Sequence, residues 1–200
     1  MEKSNTFEPI QIESKDIAIR PLLNKDFEKF DDIHNDILEL FSCEETTKYM
    51  THLRTNSIDR IISTVISIIG KHQRRETLFH FIFDKNKDNK IIGYFQIMPP
   101  QFVKEKYRLK QYNWMIEYML NKNYWGKKIM TGILQAMLIK IVEQGVIPIS
   151  AMVMKNNHAS IRLLEKSFFL LDYECSEDQC VYTFNGLNLI EKELKKGIKK

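Results

Sequence analysis

Between Asn113 and Met154 the hydrophobic period changes twice, and this constrains the fold more than any other feature of the chain. Asn113 to Leu120 alternates like a strand. From Ile129 to Gln144, Met130, Ile133, Leu134, Met137, Leu138, Ile141 and Val142 follow helical spacing, with Gly145 placed to end the helix. Ile147 to Met154 then returns to strand. A long helix between two strands buries its apolar stripe by crossing over one sheet, so these two strands should be parallel.

The flanking segments extend that sheet. Ile17 to Arg20 reads as a strand that stops at Pro21. Asn24 can cap a helix carrying Phe27, Phe30, Ile33, Ile37, Leu38 and Phe41. Ser57 can cap another, with Ile58, Ile61, Ile62, Val65, Ile66 and Ile69 as its stripe and Gly70 as its end. Leu78 to Phe83 and Ile91 to Met98 form a hairpin around Asp84 to Asn89. A short helix ending near Ser167 follows Asn157, and Phe169 to Glu174 and Cys180 to Phe184 are the last strands. The expectation is one α/β (α+β) domain over 1–200, with a core from about 17 to 184 and a basic tail from 191 to 200.

Composition removes several classes of function. The net charge of +4 is mild, and its one basic cluster, Lys195, Lys196, Lys199 and Lys200, reads as a solvated terminus rather than a nucleic-acid arm. No apolar run has the length of a membrane span, and Met1 to Asn5 lacks the apolar core of a secretory signal. The cysteines (Cys43, Cys175 and Cys180) are odd in number and form no paired CxxC motif, and the histidines are scattered. A cytoplasmic protein without a metal is expected, as a monomer or a homodimer.

Three segments carry candidate chemistry. Trp125-Gly126-Lys127-Lys128-Ile129-Met130-Thr131 enters the long helix, where unpaired backbone N–H groups, the helix dipole and two lysines suit a pyrophosphate. The same composition also suits a plain solvated turn. Asn157 is a good N-cap and Ser160 lies in the first turn that follows, facing either a cleft or its own backbone. In the strand, Met115, Glu117 and Met119 share a face. A carboxylate flanked by methionines suits a general base, since burial favours proton uptake, although a salt-bridged glutamate has the same pattern.

In this order the segments resemble the GNAT superfamily of acetyltransferases, particularly its ribosomal-protein N-terminal (alanine) acetyltransferases. The likeness runs from Ile17-Ala18-Ile19-Arg20-Pro21-Leu22 through Glu45 to Met50, Lys90-Ile91-Ile92-Gly93 and Tyr124-Trp125-Gly126-Lys127 to Asn157-His158-Ala159-Ser160-Ile161-Arg162-Leu163-Leu164-Glu165-Lys166. The resemblance implies a GNAT-like acyl-CoA N-acyltransferase fold. Its twisted mixed sheet, with helices on both faces, is splayed between the fourth and fifth strands, at Glu117 and Ala151.

It also implies acetyl-CoA as co-substrate and a primary amine as acceptor, either a protein N-terminus or a small molecule. Carried over by position, the backbone from Trp125 to Thr131 holds the pyrophosphate. Tyr118, Met119 and Leu120 hold pantetheine and the acetyl carbonyl, and Asn157 bonds the pantetheine arm. Ser160 protonates the departing thiolate, because Leu164 stands where many relatives have a tyrosine. Glu117 deprotonates the amine for direct attack, and Glu44 and Glu45 attract a cation. The sequence departs from the pattern in three places. Lys128 and Phe168 replace usual glycines, and Glu117 lies two residues beyond Met115, where relatives often place the glutamate. Lys128 is expected at negative φ with its ammonium near a CoA phosphate. The rival reading is a degenerate domain that binds acyl-CoA or a partner without turnover.

Overall fold

The computed structural model describes residues 7–107, 109 and 113–186, so the basic tail lies outside the described residues. Eight strands form one mixed sheet: β1 (Ile12–Glu13), β2 (Ile17–Arg20), β3 (Leu78–Asp84), β4 (Lys90–Met98), β5 (Trp114–Leu120), β6 (Ile149–Met154), β7 (Leu170–Glu174) and β8 (Gln179–Phe184). Their order is β1-β2-β3-β4-β5-β6-β8-β7. The expected parallel pair is β5 and β6, and every other pairing is antiparallel. The helices are α1 (Phe30–Ser42), α2 (Ile58–Gln73), α3 (Pro100–Tyr107), α4 (Ile129–Glu143) and α5 (His158–Lys166). None among the described residues is long and apolar enough to cross a membrane.

The helices cover both faces. Ile133, Leu134, Met137, Leu138 and Ile141 of α4, with Leu164 of α5, pack against Ile82, Phe95, Ile97, Ile116 and Leu120. On the other face Ile33, Ile37 and Leu40 of α1, with Ile61 and Val65 of α2, cover Phe79, Phe81, Phe83, Tyr94 and Met119. Strand alternation therefore divides β5, with Ile116 and Leu120 facing α4 and Met115 and Met119 facing the opposite side.

Local chemistry moves several expected boundaries. Asn24 does not cap an α-helix. Asn24–Lys29 is a 3₁₀ turn, because the Asp26 carboxylate accepts the Leu23 N–H at 2.7 Å and both guanidinium nitrogens of Arg20 at 2.6 and 2.8 Å. Phe27 is left exposed. Ser57 does cap α2, accepting the Arg60 N–H. That helix passes through Gly70 and ends where Arg75 takes φ 58°, closing a Schellman motif with Arg75 N–H to His72 O and Glu76 N–H to Lys71 O. Its stripe is narrower than the sequence implies, since Ile58 and Ile66 are exposed. Pro148 has no N–H for a ladder, so β6 begins at Ile149. The helix α3 is an element the sequence reading left out.

The segment before β1 is held by a buried histidine. His80 Nε2 accepts the Ile10 N–H at 3.0 Å, and Nδ1 lies 3.3 Å from Phe95 O, which suits the neutral Nδ1–H tautomer. Burial pushes His80 down to about 3. The folded value lies below that of the unfolded chain, so the stabilisation is complete above about pH 6.5 and is lost as pH falls towards 3, at up to about 1.4 kcal/mol per pH unit. Urea unfolding should therefore show the stability gap between wild type and His80→Gln narrowing by about 2 kcal/mol from pH 7 to pH 5. A gap independent of pH would mean that His80 does not titrate in this way.

Candidate active site

The sheet opens at the β5–β6 pair, the only parallel pair among the described residues. β5 and β6 are paired at Trp114↔Ile149 and Met115↔Ser150 and nowhere further along. β5 nevertheless stays in register with β4 to Leu120, and β6 stays paired with β8 to Met154. The strands therefore diverge from Ile116 onward, and alternate backbone groups on that edge of β5 face a cleft instead of a neighbour. Gly93 permits the tight packing of β4 behind this edge, since a Cβ there would lie 2.3 Å from Met119 O and 3.1 Å from Leu120 Cα.

The loop between β5 and α4 is anchored at several points. Asn121 accepts the Asn123 N–H at 3.0 Å and donates to Glu39 at 2.9 Å. The Tyr124 hydroxyl donates to Asp84 at 2.6 Å, and the Trp125 indole N–H donates to Leu120 O at 2.7 Å. Gly126, Lys127 and Lys128 are exposed, while Ile129, Met130 and Thr131 are half-buried in the first turn of α4. The first i→i−4 bond of that helix is Gly132 N–H to Lys128 O, and no side chain caps its N-terminus.

Both positions where the family pattern has glycine take a left-handed backbone. Lys128 lies at φ 59° and not at the expected negative value, because the chain must turn left-handed to enter α4 after Gly126 at φ 74°. Phe168 lies at φ 66° and closes α5, with Phe168 N–H to Glu165 O and Phe169 N–H to Leu164 O, a Schellman motif in which glycine is the usual residue. Both side chains thus occupy the left-handed conformation that glycine adopts without steric cost.

Asn157 Oδ1 accepts the Ser160 N–H at 3.2 Å and caps α5. The Ser160 hydroxyl lies 2.7 Å from the Tyr118 hydroxyl, which bridges the two lips of the cleft on the α4 and α5 face. Tyr118 stacks on Phe95, and burial pushes its phenol up to about 12 while Ser160 acts in the other direction. The sequence places Tyr118 on the strand expected to hold pantetheine and gives its hydroxyl no partner. Its side-chain partner is 42 residues away, and only the topology brings them together.

On the opposite face Glu117 is half-buried but not isolated, as its methionine neighbours suggest it should be. Its Oε1 accepts the Tyr94 hydroxyl at 2.8 Å, and its Oε2 lies 3.4 Å from the Tyr107 hydroxyl. Burial first, then the Glu117 charge, raises both phenols. The connection between α1 and α2 adjoins this face, where Tyr94 also lies 3.4 Å from Met50 Sδ. Tyr49 of that connection donates to Asn156 O at 3.1 Å. Glu44 and Glu45 belong to the same segment but are exposed and already paired, Glu44 with Arg54 at 3.0 Å and Glu45 with Lys122 at 2.6 Å. The Lys122 bond holds Glu45 down at about 2. Among the described residues no group of His, Cys, Asp or Glu is gathered to hold a metal ion.

A family model described as an acetyltransferase (GNAT) domain matches residues 17–169. The chain belongs to this family. The GNAT domain also resembles solved structures at low sequence identity. The ribosomal-protein-S5-alanine acetyltransferase from Vibrio fischeri is 16% identical, with TM-score 0.63 over 90% of this chain and 98% of that one. RimL, a ribosomal L7/L12 α-N-protein acetyltransferase bound to coenzyme A, is 18% identical, with TM-score 0.67 over 89% of this chain and 98% of that one. The microcin C7 self-immunity acetyltransferase MccE, bound to acetyl-CoA and AMP, is 19% identical, with TM-score 0.64 over 86% and 93%. No curated protein sequence matches the chain.

Proposed function

We propose that this GNAT domain transfers an acetyl group from acetyl-CoA directly to a primary amine. The observation that carries the reading is the cleft between β5 and β6, with its uncapped helix start on one side and a carboxylate on the other. The pyrophosphate would lie on the backbone from Trp125 to Thr131, where orphan N–H groups and the α4 dipole meet it, with Lys127 and Lys128 adding charge. Pantetheine would pass along Tyr118, Met119 and Leu120. Asn157 uses its carbonyl oxygen as the α5 cap, so its amide NH₂ is the part that donates to the pantetheine arm. The left-handed backbone at Lys128, the conformation a glycine there would adopt, favours an intact loop over the degenerate alternative. The acceptor chemistry draws support from the ribosomal-protein N-terminal acetyltransferases among the similar folds.

In this reading Glu117 takes a proton from the substrate ammonium, either directly or through water. The neutral nitrogen attacks the thioester carbon, and cleft-facing N–H groups of β5 hold the oxyanion. As the C–S bond breaks, the acylated nitrogen loses its second proton to solvent, Ser160 protonates the thiolate, and Ser160 regains a proton from solvent through the Tyr118 hydroxyl hydrogen-bonded to it. Neither Glu44 nor Glu45 is needed, since each already has a cationic partner.

The hydroxyl pair offers a test. Ser160→Ala and Tyr118→Phe should each lower kcat by about 10-fold or more with acetyl-CoA affinity retained, and the double variant should be little worse than either single one. Single losses that multiply in the double variant would show that the two hydroxyls act independently. An equal loss of acetyl-CoA affinity would make Ser160 a binding or capping group.

A further inference from the structure

The connection between α1 and α2 crosses the wide end of the splay. At its first anchor the Thr46 hydroxyl accepts the Lys122 N–H at 3.2 Å, and Glu45 accepts from the Lys122 ammonium at 2.6 Å. Lys122 lies just beyond the end of β5. At its second anchor the Tyr49 hydroxyl donates to Asn156 O at 3.1 Å, and Asn156 lies just beyond the end of β6. The two strands have parted by then, since their pairing stops at Met115↔Ser150. Residues 45–49 therefore tie together two lips of the cleft that no backbone ladder joins.

This connection has a frame of its own. The buried Thr47 hydroxyl donates to Cys43 O at 2.8 Å and accepts the Arg54 Nε–H at 3.0 Å. The same guanidinium donates to the Glu44 carboxylate and to Glu44 O. A satisfied polar network of this kind stiffens the segment that carries it, so a pull at one anchor is felt along its length. Two single steps along the chain then give the second anchor its consequence. Asn156 precedes Asn157, whose oxygen caps α5 and whose amide is the proposed donor to pantetheine. Tyr49 precedes Met50, whose sulfur lies 3.4 Å from the Tyr94 hydroxyl, the group that donates to Glu117 at 2.8 Å. One side of the Tyr49–Asn156 bond is the loop that meets the cofactor, and the other leads to the phenol that holds the candidate base.

We infer that Tyr49 is a positioning residue that couples occupancy of the pantetheine site to the placement of Glu117. Pantetheine held by Asn157 fixes the neighbouring Asn156 carbonyl, the Tyr49 bond tightens, and the connection holds Met50 against Tyr94. Coupling of this kind runs through bonded and packed neighbours, so it depends on the bond that joins the two sides. The inference rests on the acetyl-transfer reading above and gives Tyr49 its part in transfer through its neighbours alone.

Hydrogen exchange of the full chain, with and without saturating acetyl-CoA, tests the coupling without an acceptor. The amides of Thr47, Lys48 and Met50 are hydrogen-bonded within the connection, so their exchange reports its opening. In wild type, acetyl-CoA should slow exchange at residues 126–132 and also at residues 46–50, the latter about fivefold, the scale of one neutral hydrogen bond. In Tyr49→Phe the slowing at 126–132 should remain, while that at 46–50 should fall below about twofold. Lys122→Met cuts the ion pair at the other anchor. It should speed exchange at 46–50 with and without acetyl-CoA alike and keep the dependence on the cofactor. A merely structural Tyr49 bond would leave that dependence intact in Tyr49→Phe, and this result would overturn the inference. Loss of the dependence in Lys122→Met would overturn it too. If acetyl-CoA slows 126–132 in wild type but leaves 46–50 unchanged, the coupling is wrong and the transferase reading stands. If it slows neither segment, the cofactor reading itself fails and the coupling falls with it.

Discussion

Glu117→Gln should lower kcat by about 10²–10⁴-fold while leaving acetyl-CoA affinity within about twofold of wild type. The amide keeps the size of the carboxylate and can still accept a phenol hydrogen bond from Tyr94, so the fold should survive. It cannot accept a proton from the substrate ammonium. Both carboxylate oxygens of the native residue are already engaged by phenols, yet each has a second lone pair for the amine or an intervening water. The loss should therefore fall on kcat and not on the KM for acetyl-CoA, because Glu117 lies on the face of β5 opposite the Tyr118–Ser160 pair. Initial rates at saturating acetyl-CoA, together with titration of the cofactor, decide the matter. Wild-type turnover would reduce Glu117 to an anchor for Tyr94 and Tyr107.

The second large effect is on the fold itself. Gly93→Ala should destabilise the protein by about 2–4 kcal/mol. The new Cβ would meet backbone atoms, Met119 O at 2.3 Å and Leu120 Cα at 3.1 Å, and no flexible side chain can move aside to relieve those contacts. The sheet must either separate β4 from β5 or shift the β5 edge towards the cleft. Urea unfolding reads the first response. If the variant remains folded, weakened acetyl-CoA binding reads the second, since the displaced residues are those proposed to hold pantetheine. A variant with wild-type stability would show that β4 and β5 are less tightly apposed than described.

Much of this architecture was legible in local pattern. The strand–helix–strand change of period gave the parallel pair, and Ser57 and Asn157 cap the helices they precede. Helix ends were read less well. Glycine marks the end of α4 at Gly145, but Arg75 and Phe168 close α2 and α5 in the same left-handed geometry without being glycine. α3 carries little periodic signal, with Val103 its one fully buried residue, and its Tyr107 reaches Glu117 only after folding. The Tyr118–Ser160 bridge and the pairing of Glu44 and Glu45 depend on tertiary approach, which spacing along a strand or loop does not encode. At Lys128 a side chain's preference for negative φ is overridden by the turn the loop must make, which spacing along the chain does not encode.

Direct transfer makes a kinetic demand of its own. Initial velocities should be measured with acetyl-CoA and an acceptor amine varied together, alongside mass spectrometry of the protein during turnover. If both substrates occupy the cleft at once, double-reciprocal lines intersect, acetyl appears on the acceptor nitrogen, and no acetylated protein accumulates at Cys43, Cys175 or Cys180. Parallel lines with an acetylated cysteine would establish a covalent route and contradict direct attack. Failure of acetyl-CoA to bind or to be consumed with any amine would contradict the transferase reading altogether.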